Sequence, residues 1–518
     1  MKNPSLFTLS EKGKSGEYTA SIVRVHNLRP IEGSDFLVLA EAAGEDVVVR
    51  KDEVKEGDIM VYCRIETVLD ASFLGANNLF DPSCYEMNKN AAEYERTLEL
   101  EGKDEARKLC GYFNKHGRVR IARLRGCPSK GFLFDMSAFM KWRPELFDGV
   151  DLEEYLDIPC FDTIDGKQFI KVYIPFIPEY HGRSSRDRDK GLKRFDRILP
   201  EYFHFHYDTG QLTMLISEVR PNHNVAISVK LHGTSAIFGN ILTKAPIQKS
   251  AVAKMFDKIR RKKVKVLHQE ISRLKSLQAR YVLGMRKDSI LKKIQPNFTE
   301  TYAEIYASRN VIKNQYINRG AQGRSYYKTD VWKFYADLLK GKLDKGTTIY
   351  GEIVGYEEGS QRMIQKNYDY GCDPGTSKLM IYRVVNQPED GPKTELDIID
   401  VHKFTLGLMK KYPELKDRLH PIDILFHGSL VELYPDLNPR SETWNDDVLH
   451  RLKKEERFGM QEGNREPMCN KKVPREGIVV RIDGLPSFCA KLKTDDYFFL
   501  EAKSTDKGEV DIEMAQQG

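Results

Sequence analysis

Val225-Ala-Ile-Ser-Val-Lys-Leu-His-Gly-Thr-Ser235 reads as an apolar strand that delivers Lys230 and turns at once on Gly233. A lysine ending such a strand is partly desolvated, and neighbouring cations would lower its pKa further. That supplies the neutral amine a nucleophile needs. A glycine three residues on would let the backbone approach a phosphate closely. By itself the K-x-x-G tetrapeptide is a weak signal, because it arises by chance in many proteins.

Three more segments follow in order. Thr347–Tyr356 reads TTIYGEIVGY, a strand with Glu352 inside an apolar run. A carboxylate so placed needs a partner, whether a ribose hydroxyl, a metal-bound water or an arginine. Pro474–Arg481 reads PREGIVVR, so Glu476 opens a strand of Ile and Val. Ser487–Lys493 reads SFCAKLK. Strand alternation puts Lys491 and Lys493 on one face, a clamp for a triphosphate.

The ordered set KLHG, YGEIVG, REGIVVR and AKLK resembles motifs I, III, IV and V of the covalent nucleotidyltransferases, which comprise DNA ligases, RNA ligases and mRNA capping enzymes. Glu476 and Lys491 lie only 15 residues apart, as that family requires. Ser308-Arg309-Asn310 resembles the arginine segment that follows motif I in RNA ligases. Leu379–Val385 resembles the strand whose aromatic residue, here Tyr382, stacks on adenine. After Lys493 only 25 residues remain, too few for the C-terminal OB domain of DNA ligases and capping enzymes. A β-rich module sits at the N-terminus instead, and Val119–Asp135 is similar to the end of the OB module in RNA ligases of the Deinococcus and Naegleria type. The chain departs from that pattern in size, with 122 residues from Lys230 to Glu352 and 124 from Glu352 to Glu476, and His232 stands where many members carry Asp.

The expected fold is α+β: an N-terminal OB-like β-barrel, then a nucleotidyltransferase (ATP-grasp-like ligase) domain of antiparallel sheets with flanking helices. The length of 518 residues allows roughly two to four domains at ~150 residues each. Strand-like runs at Glu17–Val25, Phe36–Glu41, Asp46–Arg50, Asp58–Ile65, Arg118–Arg125 and Gly131–Met136 suit a small Greek-key barrel over 1–180, with a helical insertion near 75–115. The stretch 181–197 is a basic linker. The nucleotidyltransferase domain spans 198–518, with a basic helical insert at 244–297 and a second insert at about 388–466. From Lys244 to Asn297 there are sixteen Lys/Arg against three acids, although the whole chain carries only +6. Such a block attracts a phosphate backbone. Val264–Val282 has helical apolar spacing, and Thr301–Gln315 and Asp330–Leu339 are further expected helices. Hydrophobic residues at 40% and charged residues at 31% suit a soluble protein with a core. No signal pattern opens the chain and no apolar run would span a bilayer. Eight cysteines lack C-x-x-C spacing, which argues for free thiols in a reducing, cytoplasmic setting.

The resemblance implies ATP-dependent RNA ligation. Lys230 would take AMP from ATP, pass it to an RNA 5′-phosphate, and a 3′-hydroxyl would then seal the ends. Lys491 and Lys493 would contact the α-phosphate. Glu352 and Glu476 would hold Mg²⁺ or Mn²⁺ waters or the ribose. His232 and Gly233 would flank the nucleotide, Arg309 would grip the ribose or RNA end, and Tyr382 would stack on adenine. The partner is RNA, with no membrane, and the chain is expected to be a monomer. Two other readings fit the motifs less well: a DNA or mixed RNA/DNA nick ligase, and a non-catalytic nucleotide- and RNA-binding protein.

Overall fold

A computed structural model describes residues 3, 5–10, 19–173, 195–206, 209–294, 297–316, 327, 329–485 and 488–506. Most of the expected linker 181–197 lies outside the described residues. The fold is α+β. In the N-terminal part, β1 (Phe7–Leu9), β2 (Ala20–Arg24), β3 (His26–Pro30), β4 (Leu37–Ala42), β5 (Glu45–Arg50), β6 (Ile59–Cys63), β7 (Phe132–Phe134) and β8 (Phe161–Ile164) are the main strands. One six-stranded sheet has the order β1-β8-β2-β6-β7, with Lys167–Gln168 paired to β8, and β3-β4-β5 form a sheet of their own. The described pairings divide into separate sheets and do not close one ring. An aromatic core that includes Phe73, Phe139, Phe147, Phe161 and Phe169 fills the module. The expected helical insertion appears as the short helices Ala71–Ala76, Ala91–Leu100 and Lys103–Arg107. Of the predicted strand Arg118–Arg125, only Ala122–Leu124 is a strand.

The remaining chain builds two antiparallel sheets. The first holds β9 (Asn224–Lys230), β14 (Ile424–Ser429), β15 (Gly477–Ile482) and β16 (Cys489–Lys493). The second holds β10 (Thr234–Pro246), β11 (Phe298–Ser308), β12 (Thr347–Gly355) and β13 (Ser377–Asn386). Their orders are β16-β15-β9-β14 and β11-β10-β12-β13, each with short strands added at the edges. Among the described residues, the helices of eight or more residues in this part are α1 (Ala251–Arg273), α2 (Leu277–Leu291), α3 (Val331–Leu338), α4 (Ile398–Lys411), α5 (Trp444–Lys453) and α6 (Asp495–Asp506). Val331, Trp332 and Tyr335 of α3 pack on Phe238, Ile349 and Ile381 of the second sheet. Trp444, Val448 and Leu452 of α5 pack on Val225, Ile227 and Val480 of the first.

Two expectations need correction. Thr301–Gln315 is not a helix; β11 pairs with β10 from Pro246↔Phe298 to Ala236↔Ser308. The segment alternates, with Ile305 and Ala307 buried, so period-two pairing against a long strand overrides helix-permissive composition. Val264–Val282 is not one helix; it breaks after Arg273, and Ser276 caps α2 through Ala279 N. Its apolar residues stay largely exposed, Leu277 by 82% and Tyr281 by 68%. Within 388–466, the expected second insert, β14 pairs with β9, α4 packs on the second sheet and α5 on the first. Among the described residues no helix is long and apolar enough to cross a membrane.

Candidate active site

Strand register brings the expected lysines together. Lys230 of β9 pairs with Gly477 of β15, and Gly477 pairs with Lys493 of β16. The two lysines therefore sit in one cross-strand row, about 10 Å apart at Cα for strands spaced as usual. The residue between them has no side chain. A Cβ on Gly477 would lie 2.1 Å from Leu492 O, and its φ of +151° is one that L side chains rarely adopt. In the next row Ser228 pairs with Val479 and Val479 with Lys491. Lys491 and Lys493 thus share a face, as strand alternation requires.

Glu476, just before that glycine, is buried and bridges the row. Its Oε1 lies 2.7 Å from Lys230 Nζ and 3.7 Å from Lys493 Nζ. Glu501 of α6 holds the same Lys493 at 2.9 Å. Burial would raise the Glu501 carboxyl, but Lys493 outweighs it and holds the group below the usual carboxylate range. These groups line a cavity of about 360 Å³. Lys230, His232, Gly233, Arg309, Glu352, Tyr382, Glu476, Lys491 and Lys493, the nine residues singled out in the sequence, all line it.

Their surroundings differ from expectation in three places. Glu352 is half-buried and faces the cavity instead of the core. Gly233 is needed for packing, because a Cβ there would lie 2.5 Å from Ile353 O of β12. His232 is clasped by the protein itself. Its backbone N–H donates to Tyr370 Oη at 2.7 Å, its Nδ1 lies 3.0 Å from Tyr497 Oη, and its ring packs edge-on to Tyr368 and Tyr497.

Other residues of the cavity carry no sequence motif. His206 lies 3.1 Å from Tyr382 Oη. Burial, reinforced by Arg383, Arg309, Lys230 and Lys491, pushes it well below the ordinary histidine range, so it is neutral at pH 7. Arg383 and Arg481 also line the cavity, and both are held by Glu395. The N-terminal module supplies Glu45, Arg64, Glu66 and Lys130 to the same cavity. Lys130 bridges Glu45 and Asp495, each at 2.8 Å, and Arg118 joins Glu66 at 2.6 Å to Asp506 at 2.9 Å. Helix α6 is therefore the strap between module and site. Only charge pairing across distant segments marks these residues, and one sequence gives no sign of it.

The donor set suits a nucleotide and a hard cation. Three buried polar atoms of the lining, Glu476 Oε2, Ser235 Oγ and Arg64 Nε, have no hydrogen-bond partner among the described residues. Buried polar atoms rarely stay unpaired, so such atoms mark places where a ligand, ion or water belongs. Lys230, Lys491, Lys493 and Arg309 offer positive charge to phosphates, and Glu352 and Glu476 offer oxygen to a divalent ion.

Comparison with known proteins gives the following. Residues 19–95 match a family model described as an OB-fold domain. The N-terminal module carries an OB fold. A lysine-to-alanine variant of Naegleria gruberi RNA ligase with ATP and Mn aligns at 16% identity over 93% of this chain and 98% of that chain, with a TM-score of 0.47. A glutamate-to-alanine variant of the same ligase with AMP and Mn gives 16%, 93%, 99% and 0.47. The ligase with PPi gives 16%, 94%, 99% and 0.44. No curated protein sequence matches the chain.

Proposed function

We propose that the protein is an ATP-dependent RNA ligase that works through a lysyl-AMP intermediate on Lys230. The observation that carries this reading is the row Lys230–Gly477–Lys493, with Lys491 one row away and Glu476 between the amines, all in one cavity. The four motif-like segments that form it resemble those of covalent nucleotidyltransferases, in the same order.

The chemistry is three in-line displacements at phosphorus. Lys230 Nζ, having given up a proton as it leaves Glu476, attacks the α-phosphorus of ATP as the neutral amine; the P–N bond forms, the α–β P–O bond breaks, and pyrophosphate leaves. An oxygen of the RNA 5′-phosphate then attacks that phosphorus and releases the lysine. Finally the RNA 3′-hydroxyl, losing its proton, attacks the activated 5′-phosphate and expels AMP. Such reactions depend on positioning and charge neutralisation. Lys491 and Lys493 face the phosphates. Glu476 holds the Lys230 ammonium in the resting site and exchanges it for nucleotide. Tyr382 offers its ring to adenine, and Arg309 grips the ribose or RNA end. Glu352 and Glu476 would hold Mg²⁺ or Mn²⁺, which supplies neutralisation of the triphosphate. Arg64 and Lys130 of the OB module extend the cationic lining toward the RNA ends.

The helices α1 and α2 fit a role in RNA binding. They hang from the end of the β10–β11 ribbon, and only Asp257 and Leu267 of the two are buried. Their basic surface is therefore free to meet a phosphate backbone. The eight free thiols suit a reducing, cytoplasmic setting.

The test is incubation with α-labelled ATP or GTP and a divalent metal, followed by a denaturing gel. ATP should label the wild-type chain, and Lys230→Ala should abolish the band. Label from GTP alone would indicate a capping-type transferase. A labelled Lys230→Ala adduct would sink the assignment.

A further inference from the structure

A second cluster of ligand-type side chains lies where the OB module meets α5, and none of its members lines the cavity. The rung that crosses β3, β4 and β5 aligns His26, Glu41 and Asp46, since His26 pairs with Glu41 and Glu41 with Asp46. From the other side, Asp446 and His450 project from one face of α5, four residues apart. Glu41 sits at the centre and is almost fully buried. Its Oε1 lies 4.0 Å from His26 Nε2, and its Oε2 lies 3.7 Å from His450 Nε2. His26 Nε2 is also 3.6 Å from Asp446 Oδ2.

These separations are too long for hydrogen bonds, which run to about 3.2 Å. The ligand atoms of His26, Glu41 and Asp446 all lie within 4.8 Å of one another, and the His26–Asp446 separation is close to a ligand–ligand edge around a tetrahedral transition-metal ion, about 3.4 Å for bonds near 2.1 Å. His26 strengthens the case. Its Nδ1 is 3.2 Å from Arg24 O, which places the ring proton on that nitrogen. The lone pair of Nε2 then faces carboxylates, and Nε2 is a buried atom with no hydrogen-bond partner among the described residues. A metal-ligating histidine is commonly held this way, with its far nitrogen donating to a carbonyl. Asp46 is a poorer ligand, because Arg29 pairs with it.

We infer that His26, Glu41 and Asp446 form a structural binding site for one divalent transition-metal ion of the Zn²⁺ class, with water completing its shell. An imidazole beside two carboxylates suits that class better than Mg²⁺ or Ca²⁺, which favour all-oxygen ligands. The ion would staple β3 and β4 of the OB module to α5 of the catalytic half. It takes no part in phosphoryl transfer.

The experiment uses the full chain stripped with a chelator and titrated with Co²⁺, then Zn²⁺. The expected result is one Co²⁺ per chain with the visible absorption of a tetrahedral nitrogen–oxygen site, displaced by Zn²⁺, and a saturable rise in Tm. Asp446→Asn, Glu41→Gln and His26→Gln should each weaken Co²⁺ binding at least tenfold. Circular dichroism would confirm that they fold. Glu476→Gln should keep the spectrum, which separates this site from the catalytic one and from any failure of the ligase reading. Intense thiolate charge-transfer bands, absence of stoichiometric binding, or an unchanged spectrum in all three variants would each overturn the proposal. So would a Tm that rises on acidification without metal and is indifferent to Zn²⁺, which would make the cluster a histidine–carboxylate ion pair.

Discussion

Replacing Glu45 with Gln should loosen the OB module from the catalytic half by about 3 kcal/mol at neutral pH. Glu45 opens β5, is buried, and sits among Lys130 at 2.8 Å, Lys453 at 3.3 Å and Arg64 at 4.0 Å. Burial raises its carboxyl pKa, but the three cations, Lys130 foremost, more than reverse this and bring it from 4.5 to about 2. At 1.36 kcal/mol per pKa unit, that shift corresponds to about 3 kcal/mol of native-state stability above pH 5. The independent expectation for removing one partner of a buried ion pair is about 3–5 kcal/mol, because Lys130 would keep only part of its compensation. A carboxyl with a depressed folded-state pKa contributes fully above its unfolded value near 4.5 and loses that contribution as pH falls through about 2. Wild type and Glu45→Gln should therefore differ most at pH 7 and converge toward pH 2. Urea unfolding between pH 7 and 2 measures this, with fluorescence from Trp142 in the module and Trp444 on α5 as the reporter. Equal stabilities at pH 7, or a gap that stays constant down to pH 2, would refute the view that this network holds the module in place.

Gly477→Ala should destabilise the fold by about 3 kcal/mol or more, since its Cβ meets Leu492 O and its backbone angle disfavours side chains; self-adenylylation should fall with it, and a variant as stable as wild type would contradict the packing. Glu501→Gln should slow self-adenylylation about tenfold or more by loosening Lys493, with little change in overall stability; single-turnover labelling reads it. Deleting 246–296 and rejoining the β10–β11 ribbon should leave Tm and self-adenylylation near wild type, because the helices bury so little. The same deletion should weaken RNA binding and flatten its salt dependence, as read by filter binding across a salt series.

The motif strands were legible because their signals are local. Each of β9, β12, β15 and β16 is a short run of Val, Ile or Leu whose polar residues fall at strand ends or on alternate positions. Period two alone then decides which side chains share a face. The same reasoning failed at β11, where Thr301–Ser308 has no strong strand composition and becomes a strand because a thirteen-residue partner offers it hydrogen bonds. It failed again at α1 and α2. An amphipathic pattern states which residues could be covered, and here, among the described residues, Leu267 is buried while Val266, Leu277 and Tyr281 stay exposed.

Contacts between distant segments are the other blind spot, and they decide how the site is enclosed. Arg118 and Asp506 are 388 residues apart, yet the arginine is buried between Asp506 and Glu66. The segment after Lys493 carries no motif in the sequence. In the folded chain its helix α6 places Asp495 on Lys130, Glu501 on Lys493 and Asp506 on Arg118. One helix thus touches both the presumed phosphate clamp and the module that closes the cavity. Its three acids lie six and five residues apart, so they do not share a single helix face. A helix serving only to cap one surface would not distribute its carboxylates that way. The spread is what is needed to hold a lysine on one side and a separate module on the other, which makes α6 the element through which docking of the OB module and placement of Lys493 depend on each other.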